Sequence, residues 1–323
     1  MQLSTRLAPG RLTIIGVVLA VAGCSAAATP VPTAPPTASP TASSVASAAS
    51  VEPASPTPVP ATPDPCSPAQ LKTLTAGKLT LATDNPAFSP WWAGPDPVAG
   101  SPWQYADPNN GQGLEGETAY LIANKLGFAK SDVAWVEVHF DVAIQPGPKK
   151  FDLYFAQVSY SAERANAVDL SDGYFDDNQA VVGFKANAIS KVTTVAGLKD
   201  FRLGTQVGTT SLKYIQDNIQ PSKEPRVYNT LDAAVKALQA KQIDGLVADL
   251  GTTFFVRDAE LTGGVIVGEL PTVGAQEHFS AVLNKGSSLT ACVNQSIAAI
   301  KADGSLDAVR AKYITSGGAP ELH

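Results

Sequence analysis

Residues 231–249 read LDAAVKALQAKQIDGLVAD, and the step within them decides the fold class. Leu231, Ala234, Val235 and Leu238 recur at the spacing that lines one face of a helix, and the helical pattern runs over residues 231–241. Directly after it, residues 243–248 (IDGLVA) make an apolar run of strand length that ends at Asp249. The same alternation extends in both directions. Residues 78–82 (KLTLA), 133–138 (VAWVEV), 151–155 (FDLYF), 180–184 (AVVGF), 202–207 (RLGTQV) and 280–283 (SAVL) read as strands, and residues 117–126, 161–168, 211–218 and 289–301 carry helical spacing. Alternation of this kind predicts an α/β protein with mainly parallel sheets and flanking helices, whose ligands sit beyond the carboxyl ends of the strands.

The chain has 323 residues, 44% of them hydrophobic, which suggests two domains at roughly 150 residues each. Its formal net charge of −6 and the lack of any long Lys or Arg run argue against a nucleic-acid partner. Three Cys lie far apart at 24, 66 and 292, without a CxxC pair and with only three His in the chain, so no metal or other cofactor is implied.

The N-terminal part has a different composition. Residues 1–23 carry Arg6 and Arg11, then an apolar run over residues 12–22 and small residues at the end, the order of a secretory signal and too short to span a bilayer that needs ~20 residues. Residues 25–65 hold 11 of the 25 Pro, no aromatic residue and only Glu52 and Asp64 as charges. Such a tract has nothing to bury and is predicted to be a disordered spacer, reaching on the order of 35 Å as a coil and roughly 130 Å as polyproline helix.

Four strand ends are followed at once by polar groups suited to a small zwitterion. KLTLA runs into Thr83, Asp84 and a turn bearing Phe88, Trp91 and Trp92; FDLYF leads through Gln157 and Ser159 to Ser161 and Arg164; RLGTQV ends in Gly208, Thr209, Thr210 and Ser211; IDGLVA ends in Asp249. An Arg fork holds a carboxylate bidentately, helix N-termini add N–H donors, a carboxylate such as Asp249 partners an ammonium, and aromatic faces such as Phe88, Phe140 or Trp91 pack an aliphatic chain. Taken singly, the Ser and Thr also read as plain helix caps and the Asp as a turn former.

Residues 77–84 (GKLTLATD), 113–127 (GLEGETAYLIANKLG), 158–174 (VSYSAERANAVDLSDGY), 208–211 (GTTS) and 242–249 (QIDGLVAD) resemble, in order, the successive motifs of the bacterial extracellular solute-binding proteins, family three, which serve polar-amino-acid ABC importers. The resemblance implies a two-lobed periplasmic-binding-protein-like clamshell, each lobe a mainly parallel sheet with flanking helices, with two crossings of the chain near Val182 and Val273. One lobe would comprise residues 66–181 with 275–323 and the other residues 182–274. By the same resemblance, Arg164 grips an α-carboxylate with help from Ser159, Thr209 and Thr210, Asp249 takes the α-ammonium, Phe88 and Phe140 flank the ligand, and Asp84 faces its side chain. Residues 21–24 (VAGC) resemble a lipobox, which makes Cys24 the lipidated first mature residue of a protein anchored to the outer face of the cell membrane and working with ABC permease subunits.

In the oxidising compartment this implies, Cys66 before the first strand and Cys292 on the last core helix are expected to pair as a disulfide, two free thiols being the alternative. Departures from the family pattern are a Pro/Gly/Trp-rich insert at residues 89–110, Ala156 and Gln157 where small hydroxyl residues are common, and a loop-like PGPKK at residues 146–150. Residues 111–116 (GQGLEG) fit GxGxxG, yet no strand precedes them, so a dinucleotide site is not implied. The expectation is a non-enzymatic binding protein; the alternatives are a dehydratase-like enzyme on the same clamshell and a ligand-sensing lipoprotein.

Overall fold

The structure is a computed structural model that describes residues 64–314 and 318–323. The expected signal peptide, the lipidation site at Cys24 and the spacer as far as residue 63 lie outside the described residues.

In chain order the strands are β1 (Leu79–Thr83), β2 (Val133–Glu137), β3 (Leu153–Tyr154), β4 (Asp169–Leu170), β5 (Phe175–Asp176), β6 (Gln179–Phe184), β7 (Leu203–Gln206), β8 (Arg226–Tyr228), β9 (Gly245–Asp249), β10 (Gly264–Glu269), β11 (His278–Phe279) and β12 (Val282–Leu283). Among the described residues they form one sheet in the order β2-β1-β3-β12-β4, a second in the order β10-β6-β9-β7-β8, and the two-stranded ribbon β11-β5. Both sheets are mixed. β1 runs parallel to β2 and β3, and β7 runs parallel to β8 and β9, whereas β12 and β6 pair antiparallel with both of their neighbours. The chain passes from the first sheet to the second after β5 and returns after β10, and β5 and β11 pair at this double crossing through Phe175 and Phe279. This is the two-lobed α/β clamshell, with β6 lying wholly in the second sheet.

The helices are α1 (Leu114–Lys125), α2 (Phe140–Ala143), α3 (Ala162–Ala167), α4 (Thr210–Tyr214), α5 (Leu231–Gln239), α6 (Leu250–Phe255), α7 (Thr290–Ala302) and α8 (Ser305–Tyr313). In α5 the predicted stripe is the buried one: Ala234, Val235 and Leu238 pack with Ile243 and Leu246 in the core of the second sheet. The Val, Leu and Ile side chains each contribute roughly 1.5–3 kcal/mol by leaving water. Residues 215–218, expected to continue the helix, fall in a π turn (Ile215–Ile219) after α4. Residues 264–269 (GVIVGE) were not expected as a strand, because their apolar run is three residues long and flanked by glycines; pairing with β6 holds them in place. Residues 146–150 are loop, as expected, after the single turn of α2.

The Trp-rich insert belongs to the core. Trp91, Trp92 and Trp103 are buried with Leu79, Leu81 and Ile122, and Trp92 meets Trp135 edge-on at 5.1 Å. The glycine motif beside it has a structural purpose: a short 3-10 turn (Pro108–Asn110), not a strand, precedes it. Gly113, at φ 98°, starts α1 where a Cβ would lie 2.3 Å from the Trp91 carbonyl oxygen. Cys66 and Cys292, the latter on α7, are joined by a disulfide with a Cα–Cα distance of 5.4 Å.

Candidate functional site

A cavity lies at the carboxyl ends of β1, β7 and β9 and beside the segment that follows β3. Asp84, Phe88, Phe140, Ser159, Arg164, Thr209, Thr210 and Asp249 all line it. Trp91, offered by the sequence as an aromatic face, does not; its neighbour Trp92 does.

Arg164 sits in the first turn of α3, whose N-cap Ser161 accepts the Arg164 backbone N–H at 3.1 Å. This short helix aims the guanidinium inward, where it is 8% exposed and lies over the Phe140 ring at 5.4 Å. Nη1 donates to the Ser159 carbonyl at 2.5 Å and Nη2 to the Gly208 carbonyl at 2.7 Å. A guanidinium has five N–H groups, so the fork remains able to take a carboxylate. Burial lowers its pKa to about 10, leaving it charged at neutral pH. Thr209 caps α4 by accepting the Leu212 N–H at 3.1 Å, so the cap reading and the cavity reading both hold for it.

Thr210 donates to Glu277 at 2.6 Å, and Gln179 donates to the same carboxylate oxygen at 2.9 Å. Glu277 lies on the returning crossing just before β11, and no feature of the sequence marks it.

Asp249 ends β9 and caps α6, its Oδ1 accepting the Thr252 N–H at 2.8 Å. Burial raises its carboxyl to about 6, against the Thr252 hydroxyl and N–H, which favour the charged form, while the nearby Glu277 pushes it up further. Asp177 and Glu115 are also close enough to Asp249 to act on it electrostatically. Burial raises the Asp177 carboxyl well above the usual carboxylate range. Acids gathered in this way raise one another's carboxyls and favour a positive charge beside them.

Glu115 was missed because an acid in the first turn of a helix reads as a surface residue favoured by the helix dipole. It is fully buried, and burial raises its carboxyl to about 7. Gln157 covers it and itself lines the cavity.

At the other end Asp84 accepts the Asn85 N–H at 2.8 Å and lies 3.4 Å from Nδ1 of His139. Burial raises its carboxyl also. Phe88 and Trp92 line the walls beside it. No group of His, Cys, Asp and Glu arranged to hold a metal is found among the described residues.

Comparison with known proteins gives the family and the fold. The arginine-binding extracellular protein ArtP of Bacillus subtilis (strain 168) is 25% identical over 224 residues, covering 66% of this chain and 82% of that protein. The structure of an ancestral arginine-binding protein bound to glutamine superposes with a TM-score of 0.60 at 26% identity, covering 75% of this chain and all of the other. An ancestral amino acid-binding protein, AncCDT-1, described as a precursor of cyclohexadienyl dehydratase, shares the fold with a TM-score of 0.59 at 24% identity, over 74% of this chain and 96% of that one. The family model for bacterial extracellular solute-binding proteins, family 3, matches residues 98–316, and the chain belongs to that family.

Proposed function

We propose that this protein is the extracytoplasmic binding component of an amino-acid ABC importer, closing on one free amino acid and handing it to the permease subunits. The observation that carries the reading is one cavity lined by a buried Arg164 and a half-buried Asp249, opposite charges matched to a zwitterion. Arg164 with Ser159, Thr209 and Thr210 takes the α-carboxylate, Asp249 the α-ammonium, and Phe88 and Phe140 the aliphatic part. Asp84 then meets the ligand side chain. A half-buried acid there favours a basic side chain, in keeping with the arginine-binding relatives. The two sheets are the cores of the two lobes, and closure brings them onto the ligand. The protein is anchored by lipid at Cys24, with residues 25–65 as a spacer. It is not an enzyme: the groups described bind charge, and the buried acid with a carboxyl near 7, Glu115, is covered by Gln157.

The test is a thermal-shift screen of the full chain, stripped of bound ligand, against L-arginine, L-lysine, L-glutamine and the other common amino acids. A ligand at 100 times its Kd adds about 2.7 kcal/mol and raises the midpoint by several degrees. A shift with one of them that is lost in Arg164→Ala and Asp249→Ala supports the reading. No shift with any of them on folded protein overturns it, and turnover of the bound compound would favour the enzyme reading instead.

A further inference from the structure

Gln157 lies in the cavity wall at φ 50°, a left-handed conformation that a residue with a Cβ rarely adopts. A backbone outlier at a cavity wall points to a constraint, and here the constraint is a single carboxylate. Glu115 accepts both the Gln157 backbone N–H at 2.7 Å and its side-chain Nε2 at 2.5 Å. Glu115 is itself held by the Tyr174 hydroxyl at 2.5 Å, is fully buried, and forms no part of the cavity wall. An ionised carboxylate only accepts, so the Gln157 amide has to turn its nitrogen toward Glu115. Its oxygen, Oε1, accepts no hydrogen bond among the described residues and is left for whatever fills the cavity.

A neighbouring oxygen has the same character. β1 and β3 run side by side with Ala82 opposite Tyr154, so Thr83 and Asp84 leave the sheet next to the segment that carries Gln157. Thr83 is 1% exposed and lines the cavity, and its Oγ1 has no partner among the described residues. Asp84 adds its carboxylate at the same end, approached by a His139 side chain that is 59% exposed. An acceptor out of water and without a donor is costly until a ligand supplies one.

We propose that Gln157 and Thr83 are specificity-determining residues: beside Asp84 they offer two neutral oxygens that select a ligand whose side chain carries N–H donors, a guanidinium above all. The acid alone favours any cation. The two neutral oxygens favour donors in fixed directions, and a planar guanidinium with five N–H groups meets that demand better than an ammonium, a point charge. The selectivity deepens the amino-acid reading and rests on it.

One arm of the test needs no ligand. In 1H–15N spectra of the full chain at pH 8, above the Glu115 value of about 7, the Gln157 side-chain amide is identified by its absence in Gln157→Met. One of its protons should lie downfield and exchange slowly, as for a bond to a carboxylate. Two protons at the positions of a solvated amide would leave Oε1 without a fixed direction and overturn the proposal.

The other arm is calorimetry at the same pH with L-arginine, L-glutamate and L-norleucine, which share one zwitterion and differ in side-chain donors. The wild type should prefer L-arginine. Gln157→Met should weaken L-arginine about tenfold, as for a lost bond to a charged group, and Thr83→Val severalfold, while L-norleucine changes less than twofold in both. Equal losses for L-arginine and L-norleucine would make the contacts ones of packing and overturn the proposal, as would a wild type that binds L-norleucine or L-glutamate as tightly as L-arginine. Indifference to Thr83→Val alone would remove Thr83 from the selection. If the wild type binds no L-arginine the proposal falls, and the thermal-shift screen against the other amino acids decides whether the amino-acid reading falls with it.

Discussion

Gln157, at φ 50°, donates its backbone N–H to Oε1 of Glu115 at 2.7 Å and its side-chain amide to Oε2 at 2.5 Å. Tyr174 donates its hydroxyl to Oε1 at 2.5 Å. One buried acid thus collects donors from the segment after β3 and from the strand-bearing loop before β5, and fixes the cavity floor to α1. Glu115→Ala leaves three buried donors without a partner and is expected to cost about 2–4 kcal/mol, read as a lower urea midpoint. Because the native carboxyl is raised to about 7, the folded state holds a proton that the unfolded state releases. Stability should therefore fall as pH rises from the ordinary Glu range through 7, and Glu115→Gln should flatten that slope. An unchanged slope would place the titration elsewhere.

Arg164 bonds Ser159, which lies in the segment leading to α3, and Gly208, which leads into α4 of the second lobe, so one guanidinium spans both walls of the cleft. A lysine ammonium is a point donor and cannot serve two carbonyls and a bidentate carboxylate together. Arg164→Lys is expected to weaken amino-acid binding at least about 100-fold, while the fold survives. Calorimetry decides this, and a loss below threefold would remove Arg164 from the carboxylate site.

The Asp249 carboxyl, raised to about 6, must be ionised to receive an ammonium. Affinity should therefore rise with pH through that value and level off near neutrality, with binding at pH 5 about tenfold weaker than at pH 7. Arg164 keeps its charge over this range. Below neutrality, binding releases a proton, which calorimetry in buffers of different ionisation heat measures directly. A Kd that does not change between pH 5 and 7 would exclude Asp249 as the ammonium partner.

Much of this arrangement was legible because strand ends in α/β sheets are where ligands sit, and Asp84, Arg164, Thr209, Thr210 and Asp249 follow strand ends in the sequence. What stayed hidden depends on long-range partners. β10 needs β6 to be a strand at all, and α6 (LGTTFF) is, apart from Leu250, made of weak helix formers held by the Asp249 cap. Glu115 has the helical position of a solvated acid and becomes a buried one only through Gln157 and Tyr174. The Trp-rich insert stood in the sequence only as a departure from the family pattern, but its aromatic side chains fill the first core and reach α6.

The Cys66–Cys292 bridge closes a sequence separation of 226 residues and so encloses the whole second sheet, yet both of its ends lie on the first sheet's core. Its main effect is on the unfolded chain, whose freedom it restricts. Reduction is expected to lower stability by about 2–5 kcal/mol, seen as a lower urea midpoint with dithiothreitol than without. Since neither Cys lines the cavity, ligand affinity should change little. Cys66→Ser and Cys292→Ser remove the same bond, so each should cost nearly the full amount and the double variant little more, the non-additive pattern of two residues acting as one. A midpoint indifferent to reductant in the wild type would show that the bridge contributes no stability.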